Sequence, residues 1–323
     1  MACKEIGRTY NWRERMKTKK KTLWDKVLKN KWAYLFILPL LIGAIGFSYY
    51  PAFSGIFTSF FKWDGTGFKE FIKIDNYVEL FKDEIFLDSI GTMFILLIPR
   101  LLIGVFMPLI MAELIFNTKS MRMQSLYRVA VLLPMVAPGV VGMLIWQNIF
   151  EPTTGLYAKL LTILGICEEG AVIDFLNDPN WVISTIIILG FPWVNGTNIL
   201  IYISGMMNIS GEVLEASELD GCGTWRRIFT IDIPLLLGQI RYFAVFGFIG
   251  LMQDYGIQMV LTNGGPGYST YVPGWYMYKL AFTSGRYGYA CSIGTILFVV
   301  IFAVTLVAFK LMHYGPFAKD ADM

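Results

Sequence analysis

Two groups of polar residues interrupt an otherwise apolar chain. The first reads Glu215-Ala216-Ser217, three residues, Gly221, nine residues, then Ile231-Asp232-Ile233-Pro234. Its chemistry is that of docking. Ser210 can cap a helix whose first turn holds Glu212, and Glu215, Glu218 and Leu219 follow at helical spacing, which makes one face acidic. Gly221 and Gly223 then break that helix. A second short helix over 225–229 ends before Pro234, which can begin the following apolar segment at its permitted first turn. Ala216 and Gly221 let backbones approach closely, and a rigid helix pair of this kind can lie in a partner's groove and pass on its motion. The docking set is Glu215, Ala216, Ser217, Asp220, Gly221, Arg226 and Pro234; the plainer alternative is an amphipathic connector.

The second group lies within the apolar segments, where charges are costly and mark functional candidates. Asp254 is flanked by Gln253 and Tyr255, with Gln258 one turn on. Carboxylate and amide groups exchange hydrogen bonds with hydroxyl-rich solutes, and Tyr255 offers an apolar face to a sugar ring. Trp193, Asn195, Asn198 and Tyr202 add further polar and aromatic groups, the last three at spacings of three and four that share a helix face. Two structural readings stand beside these. Asp254 is solvated or ion-paired near a surface, and the Asn195 group serves helix-to-helix bonding around Gly196 and Gly205. At 1.5 Å per residue Arg100 lies about 16 Å deep and Asp254 roughly 10 Å, so the two can pair. Glu113, about 20 Å along the same helix as Arg100, is out of its reach. Arg241, near a segment end, is expected to snorkel.

These groups need a membrane scaffold. Hydrophobic residues make up 55% of the 323-residue chain and charged residues 16%, against roughly 25% charged in a soluble domain, and mean hydropathy is +0.55. Lipid offers backbone groups no partners, so spans must be helices of about 20 apolar residues. Six are expected, over 33–61, 89–116, 129–150, 181–207, 234–260 and 287–309, in an all-α integral membrane fold. Pro39, Pro51, Pro99, Pro108, Pro138 and Pro192 predict local kinks. The expected organisation is a basic segment over 1–31, one six-helix domain over 32–313 with the docking loop at 208–233, and a tail over 314–323.

Basic residues orient the spans. Eleven lysines and arginines precede the first span, and Lys119, Arg122 and Arg128 follow the second, which puts the N-terminus in the cytosol. Lys62, Lys69, Lys73, Lys82, Lys159, Lys279 and Arg286 fall in loops assigned outside. Six crossings return the C-terminus to the cytosol, and the same parity places the net-acidic docking loop there. The N-terminus reads as an anchor rather than a cleaved signal peptide. The basic stretch near Trp12, Trp24 and Trp32 acts as a topology signal, with contact to anionic lipid as the alternative. Cys3, Cys167, Cys222 and Cys291 have no metal spacing and predict neither disulfide nor metal site. His313, the single histidine, suits capping or solvation near a helix end.

The docking loop resembles the EAA loop of bacterial ABC importer permeases, with Ser217 in place of Ala and Ile233 in place of Leu. Tyr127-Arg128, Leu133-Pro134, Val140-Val141, Trp146, Phe150 and Gly155 are similar to the third helix and outer loop of the carbohydrate-type permeases. The turn 261–267 is similar to their outer glycine-rich turn, and Trp63-Asp64-Gly65 with Asp75-Asn76-Tyr77 to their first outer loop. The resemblance covers about 32–313. It implies a type I importer permease in a bacterial plasma membrane, paired with a second homologous permease, with two cytosolic ATPases below and a solute-binding protein above, moving a sugar, an oligosaccharide or glycoside. In maltose-type permeases the stretch matching Asp254 faces the sugar path. No phosphate-binding loop occurs in this chain, so no cofactor is expected on it; ATP and Mg belong to the partner ATPase. Nucleic acid is not an expected partner. Glycerol phosphate or a polyol is the alternative solute, and an ATPase-independent channel or carrier is a rival architecture. A membrane enzyme lacks converging catalytic groups.

Overall fold

The computed structural model describes residues 31–314 except 68, 167, 169–171 and 173, and of 311–314 only the backbone. The basic segment with Trp12, Trp24 and Cys3, Cys167, the His313 side chain and the tail beyond 314 lie outside the described residues. Two units divide between Gly55 and Ile56. Helix α1 (Lys31–Thr58) includes a π segment at Ile45–Tyr49 and carries Pro39 within its first part.

The larger unit begins at Ile56. A short antiparallel pair, β1 (Phe61–Lys62) and β2 (Glu70–Phe71), is followed by α2 (Asp75–Leu80) and the long α3 (Glu84–Phe116). Then come α4 (Met121–Ala130), a 3-10 turn at Leu133–Val136, α5 (Gly139–Ile149), α6 (Leu156–Ile163), α7 (Val182–Ile188) and α8 (Gly196–Met207). The docking loop supplies α9 (Gly211–Leu219) and α10 (Thr224–Arg227), and α11 (Leu237–Gln253), α12 (Pro273–Phe282) and α13 (Tyr287–Tyr314) complete the unit.

By length and composition, four described helices can cross a membrane: Lys31–Thr58, Glu84–Phe116, Leu237–Thr262 and Tyr287–Lys310. The expected third span is a bent pair, Met121–Val136 and Gly139–Ile149, at 89°. Pro138 stands at that corner as the N-cap of α5, and its ring favours an extended residue before it. The expected fourth span, 181–207, is two short helices. Gly190 and Trp193 adopt positive φ, +91° and +55°, so no helical ladder can run through them. Pro99 and Pro108, by contrast, lie inside an α3 that stays helical from end to end.

Lipid gives little hydrophobic drive between helices, so close approach must hold them. At Gly205 a Cβ would fall 2.6 Å from Leu236 Cδ2, which is why α8 can lie directly against the start of α11. The larger unit has two main cores that share α3. One gathers Phe86, Met93, Leu96 and Leu97 of α3 with Val182, Ile186, Met252, Trp275 and Ile293. The other gathers Val105, Leu109, Ala112 and Ile115 of α3 with Ile199, Tyr202, Met206, Leu236 and Phe243. The seam between them crosses α3 at Arg100.

The end of α3 away from the docking loop is tied by Asp83. One carboxylate oxygen caps the helix at Ile85 N and Phe86 N, and the other accepts from Tyr276 Oη at 2.6 Å and Tyr289 Oη at 2.7 Å. Burial pushes the Asp83 pKa up, but the hydrogen bonds from both tyrosines and both amides outweigh it and hold the group below its ordinary value.

Candidate functional site

The docking loop begins at Ser210, which takes the extended N-cap conformation ahead of α9, although its hydroxyl makes no capping bond. Glu212 lies in the first turn, and Glu215, Ala216 and Glu218 are exposed. Ser217 is the buried member of α9, its hydroxyl donating to Leu214 O at 2.7 Å. The helix ends where Cys222 N reaches back to Ser217 O and Gly221 N to Glu218 O. Gly221 has φ +69°, a left-handed turn that glycine adopts without strain. Within this chain nothing among the described residues lies within 4 Å of a Cβ placed on Gly221.

Beyond the turn, the second helix is Thr224–Arg227 rather than 225–229. It opens into a π segment at Ile228–Asp232, and Pro234 then falls in the first turn of Ile233–Leu235. Arg226 and Asp220 are exposed beside Glu215 in sequence order. Three large apolar side chains on this polar loop also face outward: Leu219 is 89%, Trp225 76% and Phe229 65% exposed. Exposed aromatics next to charged groups have the composition of binding hot spots.

Arg227 turns inward. Its Nε donates to Asp232 Oδ2 at 3.1 Å and its Nη2 donates to Asn117 Oδ1. Asn117, just past the end of α3, donates to Glu113 Oε2 at 3.1 Å. Asp232 is fully buried and Glu113 nearly so, and each keeps one oxygen without a protein partner. Residue spacing alone did not find this cluster. Its signal was a carboxylate in an apolar frame, Asp232 between Ile231 and Ile233 and Glu113 near the end of a span, for groups of that kind are buried only with partners.

At the seam between the cores, a cavity of about 300 Å³ is lined by Arg100, Gly104, Leu189, Trp193, Asn195 and Leu251 among others. Arg100 Nη2 donates to Asp254 Oδ2 at 2.8 Å, and Asp254 Oδ1 accepts from Gly256 N. Asp254 is where α11 stops, with ψ 128° breaking the ladder before the π segment Gln258–Thr262. Asn195 is the N-cap of α8 and accepts from Asn198 N, while Trp193 Nε1 donates to Ile187 O within the break.

The other expected path residues separate from this group. Tyr202 is wholly buried with its hydroxyl donating to Val105 O, so it packs α8 on α3. Asn195 stands at the cap rather than in the helix, and burial increases from exposed Asn195 through Asn198 to buried Tyr202. Gln258 is buried, only 1% exposed. Gln253 and Tyr255 line a different, mostly apolar cavity of about 400 Å³ with Gly274, Met277, Leu297 and Phe302. The break at Asp254 explains this division, since it re-aims the neighbouring side chains. Among the described residues, no three His, Cys, Asp or Glu side chains come together as metal ligands.

Comparison with known proteins agrees in extent with this architecture. Residues 104–314 match the family described as the binding-protein-dependent transport system inner membrane component. The chain is 29% identical over 283 residues to the probable ABC transporter permease protein YurN of Bacillus subtilis, covering 87% of this chain and 96% of that protein. It is likewise 29% identical over 287 residues to the multiple sugar-binding transport system permease protein MsmF of Streptococcus mutans, covering 88% and 97%. Among solved structures, a chain of a bacterial alginate ABC transporter in complex with alginate pentasaccharide-bound periplasmic protein superposes with a TM-score of 0.76 at 25% identity, over 90% of this chain and 96% of that one.

Proposed function

The chain belongs to the family of binding-protein-dependent transport system inner membrane components, and from that membership we propose that it is a permease subunit of an ATP-driven importer that moves an oligosaccharide or glycoside across a bacterial plasma membrane. The observation that carries the proposal is the docking loop. It holds a short acidic helix, a left-handed turn at Gly221 and outward-facing Leu219 and Trp225, all anchored by Arg227 and the buried Asp232. Such a surface has the form needed to seat a soluble partner while transmitting force.

In this reading two cytosolic ATPases hold ATP and Mg, and their closure moves the loops at Glu215 of a pair of homologous permeases, this chain and a different partner. The pair alternates between inward-open and outward-open states, with a solute-binding protein delivering sugar from outside. The chain makes no covalent change to its cargo. Arg100, Asp254, Trp193 and Asn195 would contact the solute. A guanidinium and a carboxylate bind vicinal hydroxyls, and an indole beside them offers an apolar face to a pyranose ring.

Copurification tests the assignment. Expressed with its genomic neighbours, the chain is expected to bring down an ATPase, and sugar uptake into vesicles is expected to require ATP. Persistent purification without an ATPase, or ATP-independent flux, would overturn it.

A further inference from the structure

α3, like α11, contributes to both cores, and side-chain hydrogen bonds hold it at its two ends and near its middle. Asp83 ties one end to Tyr276 and Tyr289; Arg100 reaches Asp254 in the middle; Glu113 and Asn117 meet the docking loop at the other end. The two cores also divide the chain by function. The docking loop joins the second core through Arg227 and through buried Leu236, whereas Asp254 lies between Met252 and Ile257 of the first core.

The seam is weak where α3 and the expected fourth span cross it. In α3, Pro99 has no N–H to donate to Ile95 O, so the ladder loses a bond immediately before Arg100. The expected fourth span is severed between Gly190 and Trp193. Where α3 and α11 meet, a Cβ on Gly247 would lie 2.9 Å from Leu101 Cδ1, so a side chain there would require Leu101 to move. The cavity with Arg100 and Trp193 lies on that seam.

We propose that Arg227 is the positioning residue that carries docking-loop movement to the solute cavity. It fixes the loop to the end of α3, so that the two cores turn against each other at Pro99–Arg100 and the Arg100–Asp254 pair opens and closes the cavity. The proposal rests on the importer assignment and names the route within one subunit. Its geometry requires little movement. Glu113 lies about 20 Å along α3 from Arg100, so a turn of about 3° at Pro99–Arg100 accompanies a shift of about 1 Å at Glu113. A hydrogen bond of 2.8 Å is lost with a change of about 1 Å.

Two variants of the full complex, reconstituted in vesicles, test the route. Asn117→Ala removes the bridge and leaves the Arg227–Asp232 pair intact. The double variant Arg227→Met with Asp232→Asn removes that pair without leaving an unpaired charge from it. Both are expected to assemble with the ATPase and hydrolyse ATP near the wild-type rate, while sugar taken up per ATP falls by about two- to thirtyfold, more in the double variant. A purely structural role would lower assembly and hydrolysis together and leave that ratio unchanged. Wild-type uptake per ATP in either assembled variant overturns the proposal, and so does failure of both to assemble, which assigns the cluster to folding alone. The wild-type complex measured alongside separates the two claims: absent ATP-driven uptake there rejects the importer assignment itself.

Discussion

Arg100 and Asp254, 154 residues apart in sequence, meet through a single hydrogen bond of 2.8 Å at the side of a cavity. Each is about a quarter exposed, 24% and 29%, so the pair is worth less than a fully buried one and more than a surface one. Asp254→Asn is expected to lower the thermal midpoint of the purified chain in detergent, because it leaves a half-buried guanidinium without its counter-charge. Replacing both, Arg100→Met with Asp254→Leu, is expected to recover part of that stability while uptake stays lost. Recovery of uptake in the double variant would remove the pair from the solute path.

Glu215 is exposed on α9, so Glu215→Lys is expected to leave the thermal midpoint of the isolated permease unchanged, within about 0.5 kcal/mol. Uptake by the assembled complex is expected to fall at least about tenfold, as charge on the docking face now opposes the partner. Wild-type uptake would exclude Glu215 from the contact.

Trp225 and Leu219 present the largest apolar surface on the loop. Trp225→Ala is expected to cost about 2 kcal/mol of ATPase affinity, the scale of an aromatic hot spot, measured by titrating the ATPase onto the permease in nanodiscs. An unchanged dissociation constant would place the interface elsewhere.

Gly221 has φ +69°, and the penalty for a side chain there is about 1 kcal/mol. Gly221→Asn, which tolerates the left-handed region, is expected to keep more uptake than Gly221→Val. Equal loss in both would point to steric exclusion rather than backbone conformation.

Asp83 predicts a pH dependence. Its folded pKa lies below the unfolded value near 3.8, so its contribution is fully present above that value and is lost as pH falls through the folded pKa. Asp83→Asn is therefore expected to be less stable than wild type at neutral pH, with the two melting curves converging below about pH 4. A difference that does not narrow as pH falls below that value would assign the effect to packing of Tyr276 and Tyr289.

The parts of this fold written in local spacing were legible. α3 and α13 follow from long apolar stretches, in α3 interrupted only by Arg100 and Glu113 over 89–116, and the α9 turn follows from Gly221 after an acidic helical stretch. The span over 181–207 was not legible as two helices, because averaged hydropathy stays high across Phe191, Trp193 and Val194 while the backbone turns at Gly190. The Arg227–Asn117 bond spans 110 residues, and no local pattern encodes a partner at that distance. Gln253 and Tyr255 were read with Asp254 as one polar cluster, since an unbroken helix was assumed; the extended residue at Asp254 sends them to a separate cavity.

A helix shared by both cores also governs biogenesis. α3 enters the bilayer carrying Arg100 and Glu113 before any of their counter-charges has been made. At ordinary rates of synthesis Asp254 emerges about 10 to 30 seconds after Arg100. Through that interval the Arg100 guanidinium lies in an apolar helix without its counter-charge, a cost that water or snorkelling must offset. Completion of α11 supplies the partner of Arg100, so that cost is relieved by ion pairing only once most of the chain has been made.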